Sequence, residues 1–144
     1  MSRPTPRSAF TILEAVFLMS LIVLVYVIVL VNIQGRQESA KVLQARKQIS
    51  EFAKAMELFR KENGFYPTTA EGLDALVQRP ERSKYWPEGG FIKGGQIPRD
   101  PWGNLYVYRS PGEQSKNFEI LSNGADGKPG GKGFDRDIAS YDSD

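Results

Sequence analysis

Four acidic residues stand out because of where they lie in the sequence. Glu14 borders an uncharged apolar run at residues 15–33, and Asp126, Asp135 and Asp137 lie in a glycine-rich segment near the C-terminus. A carboxylate at the edge of lipid needs a cationic partner. Carboxylates in a flexible glycine-rich loop are hard oxygen ligands, the kind that calcium binds. The two chemistries to consider are therefore charge pairing at a membrane and calcium coordination, although an acidic glycine-rich tail that is merely solvated is an alternative.

The composition argues against several other chemistries. The 144 residues include no histidine and no cysteine. The commonest general base and the usual zinc ligands are therefore missing, and an enzyme is a poor first hypothesis. The formal net charge is +2, with acidic and basic residues interleaved. Because no basic stripe with interleaved aromatic residues is visible, nucleic acid is not an expected partner.

The apolar run at residues 15–33 is long enough to span a bilayer, since a helix of this length measures roughly 28 Å. Arg3 and Arg7 precede it, and no acidic residue comes before Glu14, so we expect a cytoplasmic N-terminus with the rest of the chain across the membrane. Cleavage after the small residue Ala9 would leave the apolar helix on the mature chain, unlike cleavage of a secretory signal peptide. An ordinary signal anchor with an incidental Glu14 is the alternative.

A second helical pattern follows the apolar run. The apolar residues that recur at spacings of three and four are Val42, Ala45, Ile49, Phe52, Met56 and Phe59. The charged residues of the opposite face are Lys47, Glu51, Lys54 and Arg60. No proline interrupts residues 10–63, so we predict one continuous helix that ends at Asn63-Gly64.

A short helix and a long loop are predicted next. Thr68 and Glu71 match a capping box, which predicts a helix over residues 70–79. Residues 80–99 are rich in proline and glycine and are predicted to form a loop. The aromatic residues expected to anchor this loop in the core are Tyr85, Trp86 and Phe91.

The remaining pattern is that of a small sheet. A turn at residues 101–104 leads into a predicted strand at 105–108, and a second strand is predicted at 117–121. We expect the two strands to pair antiparallel and to pack on the long helix. The predicted fold class is therefore α+β.

Four motifs occur in an order typical of one protein family. They are the Ala9-Phe10 junction with Glu14 after it, residues 63–69 with Gly72-Leu73, residues 98–104, and the loop from Ser122 to Ile138. In these motifs the chain resembles the major pseudopilins of the type II secretion system, within the type IV pilin-like superfamily. The resemblance covers nearly the whole chain and implies a pilin-like fold.

The resemblance also implies processing and assembly. Residues 1–9 would be a leader that a prepilin peptidase removes, cutting before Phe10 and methylating its amine. Residues 10–34 would form the transmembrane and assembly helix, and residues 35–144 a periplasmic domain. Within a filament, Glu14 would neutralise the Phe10 amine of a neighbouring subunit; pairing with its own amine is the alternative.

The family's partners and cofactor follow from the same resemblance. The chain would form a homopolymer with minor pseudopilins, driven by an inner-membrane assembly platform and its ATPase, and would push folded cargo through an outer-membrane secretin. The implied calcium ligands are the Leu121 carbonyl and the side chains of Asp126, Asp135 and Asp137.

Two other functions remain open at this point. One is a type IV or competence pilin, although such pilins often close a C-terminal loop with a disulfide and this chain has no cysteine. The other is a membrane-anchored calcium-dependent hydrolase, which would have to work with carboxylates and lysine alone.

Overall fold

The computed structural model describes residues 11–142, apart from the side chains of residues 32–34. The chain divides into a first unit that ends at Gln37 and a second unit, Glu38–Asp144. One helix, α1, runs from Ile12 to Asn63 and contributes to both units. The predicted continuous helix is thus confirmed over the described residues.

The first unit consists of the apolar part of α1. Its large apolar side chains, from Ile12 to Val31, are exposed. By length and composition α1 is able to cross a membrane, and none of its most apolar stretch is buried within the protein. This exposure fits a membrane anchor, because lipid can cover apolar side chains that the protein itself leaves uncovered.

The second unit is built around the apolar face of its part of α1. Five of the six predicted stripe residues, from Ala45 to Phe59, are buried, and Val42 is half-buried. The four charged residues predicted for the opposite face are all exposed. Phe52 packs edge-on against Tyr106 with ring centroids 5.1 Å apart. The predicted amphipathic face is therefore confirmed.

A three-stranded antiparallel sheet completes the core. Its strands are β1 (Val107–Arg109), β2 (Glu119–Ser122) and β3 (Ile138–Ala139), in the order β1-β2-β3. Leu121 pairs with Val107 on one side and with Ala139 on the other. The α+β fold is confirmed, but both predicted strands begin two residues too early. Strand β3 was missed because two residues are too few to show an alternating pattern.

The prediction of a helix over residues 70–79 is wrong. A 3-10 helix of only four residues, Leu73–Leu76, occupies this region. The capping box itself forms: the Thr68 N–H donates to Glu71 Oε2 at 2.7 Å, and the Glu71 N–H donates to Thr68 Oγ1 at 3.3 Å. Gly72 then adopts a φ of 61°, which an α-helix does not accommodate, so the capped turn cannot continue.

Residues 80–99 form the predicted loop, with two of its three expected anchors. Trp86 and Phe91 are half-buried, with ring centroids 5.5 Å apart, and Phe91 lies 5.1 Å from Phe59. The prediction for Tyr85 is wrong, because this residue is 48% exposed. Its backbone makes the contact instead: the Tyr85 N–H donates to the buried Asn63 side-chain oxygen at 3.0 Å.

Candidate functional site

Glu14 lies in the first turn of α1, which Thr11 caps. The Glu14 N–H donates to Thr11 Oγ1 at 3.3 Å and to the Thr11 carbonyl at 3.0 Å. A carboxylate in the first turn is favoured by the positive end of the helix dipole. Glu14 therefore has a local electrostatic reason for its position besides any pairing with another subunit. The Thr-x-x-Glu spacing from Thr11 to Glu14 matches that of Thr68 and Glu71 and would have revealed this cap from the sequence.

The predicted partner of Glu14 cannot be placed. Ala9 and Phe10 lie outside the described residues. The cleavage site and the pairing of Glu14 with a Phe10 amine therefore remain predictions.

Asp137 is the predicted calcium ligand with the clearest structural signal. It directly precedes β3, and its Oδ2 accepts a hydrogen bond from the Gly130 N–H at 2.9 Å. Its Oδ1 is buried and accepts no hydrogen bond from any residue that the structure describes. A buried carboxylate oxygen without a donor is costly, so this atom is suited to contact a cation.

The other predicted ligands are placed differently. Leu121 and Asp137 both line a cavity of about 200 Å³, whereas Asp126 and Asp135 are exposed and are not among its lining residues. Asp126 Oδ1 accepts a hydrogen bond from the Lys128 N–H at 3.0 Å. Within residues 11–142, no three acidic side chains converge into a group that could hold a metal ion. The structure thus brings together two of the four predicted ligands.

Close backbone contact joins the two ends of the C-terminal loop, defined here as residues 123–137. The Ala125 N–H donates to the Phe134 carbonyl at 2.9 Å. Gly124 has a φ of 65°, and a Cβ atom there would lie 2.8 Å from the Asp135 carbonyl carbon. Glycine is required at this contact. Glycine at residue 124 therefore lets the segment leading to Asp126 approach the segment that carries Asp135 and Asp137.

The donors predicted for this site are of the kind that calcium binds. All four predicted ligands offer oxygen, and calcium takes six to eight oxygen ligands, including backbone carbonyls and water. The buried Oδ1 of Asp137 and the closely packed loop fit such an ion, with carbonyls or water completing the coordination that the side chains do not supply. Zinc, which prefers nitrogen and sulfur ligands, does not fit a chain without histidine and cysteine.

A buried aspartate next to the loop was not predicted from the sequence. Asp100 Oδ1 accepts hydrogen bonds from the Trp102 N–H at 3.1 Å and the Asn104 N–H at 2.7 Å. Asp100 Oδ2 accepts one from Ser122 Oγ at 2.6 Å. The turn at residues 101–104 was predicted, but the aspartate before it carried no assigned role. Asp-Pro-x-Gly-Asn is a signal for such a turn, since Asp commonly accepts hydrogen bonds from amides just ahead of it.

An ion pair forms one wall of the cavity that Asp137 lines. Arg109 Nη1 lies 2.9 Å from Glu119 Oε1, and the Gln114 N–H donates to Glu119 Oε2 at 3.1 Å. Burial raises the pKa of Glu119, but the hydrogen bonds from Gln114 and Arg109 outweigh this and keep the pKa below its ordinary value. Arg109 Nη1 also lies 3.4 Å from Oε1 of Glu113, which lines the same cavity. Arg109 thus pairs with both glutamates, and among the described residues Asp137 is the carboxylate of this cavity that forms no ion pair and is left to meet a cation.

Comparison with known proteins places these features in one family. Residues 32–141 match the family model described as type II secretion system protein G. The chain is 36% identical over 140 residues to the type II secretion system core protein G of Pseudomonas aeruginosa, covering 95% of this chain and 96% of that protein. The core protein G of Vibrio cholerae is 34% identical over 143 residues, covering 98% and 96% respectively.

A solved structure agrees with the sequence comparison. The chain resembles the crystal structure of the major pseudopilin from the type 2 secretion system of enterohaemorrhagic Escherichia coli, with a TM-score of 0.64 and 30% identity. The match covers 76% of this chain and 94% of that one.

Proposed function

This chain belongs to the type II secretion system protein G family, and on that basis we propose that it assembles into a pseudopilus that drives protein export. It is a pseudopilin, a subunit of the type II secretion system. The family is a structural one, and we assign the chain no catalytic role. The observation that supports the proposal most directly is the match across nearly the full length of both chains.

Processing and orientation form the second part of the proposal. A prepilin peptidase cuts between Ala9 and Phe10 and methylates the new amine. The apolar part of α1 anchors the subunit in the inner membrane with a cytoplasmic N-terminus, and the second unit lies in the periplasm. The exposed apolar side chains of the first unit support the anchor, and the charge of Arg3 and Arg7 supports the orientation.

Glu14 is proposed as the assembly residue. The charge of a carboxylate in lipid costs roughly 2.5–3.5 kcal/mol on insertion scales, and a protonated Phe10 amine on a neighbouring subunit would offset it. The helix dipole already favours the position of Glu14, but a dipole does not neutralise a full charge. A cation from another subunit therefore still stabilises Glu14.

The proposed partners are those that a secretion filament needs. They are further copies of this chain, minor pseudopilins, the assembly platform with its ATPase, and cargo delivered to the secretin. We also propose that Ca²⁺ binds between the end of β2 and the C-terminal loop, through the Leu121 carbonyl, Asp126, Asp135 and Asp137. Among the residues that the structure describes, the buried Oδ1 of Asp137 has no hydrogen-bond partner, which supports this metal assignment.

Filament assembly is tested in the native host. Pseudopili are sheared from cells, and the N-terminal peptide of the chain is identified by mass spectrometry. The expected peptide begins at Phe10 with a methylated amine, and cells lacking the chain fail to secrete cargo. Assembled, working subunits that retain residues 1–9 would overturn the processing and the role of Glu14 together.

A further inference from the structure

A buried network connects the turn at residues 101–104, with Asp100 before it, to the C-terminal loop. Asp100 accepts the Ser122 hydroxyl at 2.6 Å, and Ser122 Oγ also accepts the Gly124 N–H at 3.3 Å. Both Asp100 and Ser122 are buried. The hydroxyl therefore links the aspartate to the backbone where the loop begins.

Asn104 makes a second connection from the same turn. Its Nδ2 donates to the Gly124 carbonyl at 3.0 Å. A Cβ atom on Gly127 would lie 2.8 Å from Asn104 Oδ1, so the amide packs directly on the loop backbone. Both polar backbone groups of Gly124 are thus held by side chains, and Asp126 lies between the two glycines that these contacts fix.

The network also reaches the opposite end of the loop. Ser122 pairs with Ile138 in the sheet, and Ile138 directly follows Asp137. Because Gly124 packs on residues 134–136, holding Gly124 also limits where Asp135 can move. The same network therefore constrains both segments that carry the proposed calcium ligands.

The turn that supplies these contacts is itself anchored. Trp102 Nε1 donates to Glu38 Oε2 at 2.7 Å, and Glu38 lies on the part of α1 within the second unit. Hydrogen bonds from Lys41 and Trp102 hold the pKa of Glu38 below its ordinary value. The turn is thus attached to the helix on one side and to the loop on the other.

We propose that Asp100, Asn104 and Ser122 are positioning residues for calcium, which hold the C-terminal loop in the conformation that binds the ion. This inference rests on the calcium site proposed above. None of the three residues is a proposed ligand, and they act through Gly124. Residues that orient metal ligands commonly change metal affinity by 10–100-fold when mutated.

The test uses the full chain in detergent micelles, stripped of metal with a chelator. Calcium binding is measured by titration calorimetry for the wild type, Ser122→Ala and Asn104→Ala. Hydrogen exchange is measured without calcium at the Ala125 and Asp137 amides, which bond to Phe134 and Gly130 across the loop. The control is Tyr108→Phe, which removes a buried hydrogen bond of 2.9 Å to the Pro67 carbonyl, outside the loop.

Ser122→Ala and Asn104→Ala are each expected to weaken calcium binding about tenfold. Both are also expected to speed exchange at the two amides, whereas Tyr108→Phe does neither. Wild-type affinity and wild-type exchange in Ser122→Ala and Asn104→Ala would overturn the inference and leave the calcium site standing. A wild type that binds no calcium would overturn the site and the inference together. The two failures are thus distinguishable.

Discussion

Arg109 and Glu119 face each other across β1 and β2, with Arg109 Nη1 2.9 Å from Glu119 Oε1. Glu119 is 1% exposed, whereas Arg109 is about one-third exposed at 37%. The buried carboxylate therefore depends on a partner that reaches it from the surface. Removing one partner of a buried pair typically costs about 3–5 kcal/mol, because the other charge is left uncompensated.

The first prediction concerns acid stability. The folded state lowers the pKa of Glu119 from its ordinary value of 4.5, so the unfolded chain takes up a proton first as the pH falls. Stability from this group is present above pH 4.5 and is lost as the pH falls through the lower folded pKa. Thermal melts of the full chain from pH 7 to pH 3 should show this decline.

Two variants separate Glu119 from other acidic groups in this experiment. Glu119→Gln should lower the melting temperature at pH 7 and flatten the decline below pH 4.5. Glu71 also has a lowered pKa, held by hydrogen bonds from Arg82 and Thr68 against the effect of burial, so Glu71→Gln should remove a separate part of the same decline. The flattening in Glu119→Gln compared with that in Glu71→Gln then measures the share of the decline that belongs to Glu119. An unchanged acid profile in Glu119→Gln would show that the pair does not govern acid stability.

The second prediction concerns calcium. Adding Ca²⁺ to the metal-free chain should raise its melting temperature, because a ligand at a hundred times its Kd adds about 2.7 kcal/mol to the free energy of unfolding. Asp126→Ala and Asp137→Asn should each abolish the rise. Asp74→Asn changes an exposed aspartate outside the loop and should retain it. A melting temperature that does not respond to millimolar calcium would remove the metal assignment.

The spacing of apolar residues along the sequence was enough to predict α1, but it did not predict the strand pairing that completes the second unit. The apolar stripe from Val42 to Phe59 repeats within one helix, so neighbouring positions alone specify it. Strand β3 has two residues, and its place depends on pairing with β2 some 16 positions earlier in the chain, at Ser122 and Ile138. A pairing between residues so far apart in the chain leaves no repeating pattern of apolar residues from which it could be predicted.

In the candidate site, too, local features of the sequence were predicted and contacts between distant residues were missed. The concentration of aspartates and glycines in one segment indicated oxygen ligands, and the family resemblance assigned calcium ligands there: the Leu121 carbonyl, Asp126, Asp135 and Asp137. Among the described residues, the buried Oδ1 of Asp137 accepts no hydrogen bond. No role was predicted for Asp100, because its hydrogen bond with Ser122 joins residues 22 positions apart in the chain. The prediction of a helix over residues 70–79 was wrong because Gly72 adopts a positive φ. A glycine permits this conformation but does not require it, so the sequence alone did not reveal where the helix would be interrupted.

The third prediction separates folding from assembly at Glu14. Glu14→Leu should leave the chain inserted in the membrane and its second unit folded, because Glu14 lies in the first unit. Filament assembly, measured by cross-linking between subunits in cells, should be lost. Ser20→Leu is the matched control, since Ser20 bonds only within α1, to the Phe17 carbonyl at 2.7 Å, among the interactions that the structure describes. Loss of the melting transition of the second unit in Glu14→Leu would contradict the assignment.

The last prediction tests the close contact at Gly124. Gly124→Ala should destabilise the chain for two reasons: a positive φ costs an L-residue about 1–2 kcal/mol, and overpacking adds about 1–3 kcal/mol. The added Cβ would lie 2.8 Å from the Phe134 carbonyl oxygen, a backbone atom that cannot rotate away. Gly133→Ala is the control, since Gly133 has a similar φ of 62° and, apart from its own chain neighbours, no described atom lies within 4 Å of its Cβ position. Denaturant melts of both variants isolate the packing contribution, which is the amount by which Gly124→Ala exceeds Gly133→Ala. Equal losses would mean that the loop yields at this contact, and the C-terminal loop would then be too loosely held to preorganise a calcium site.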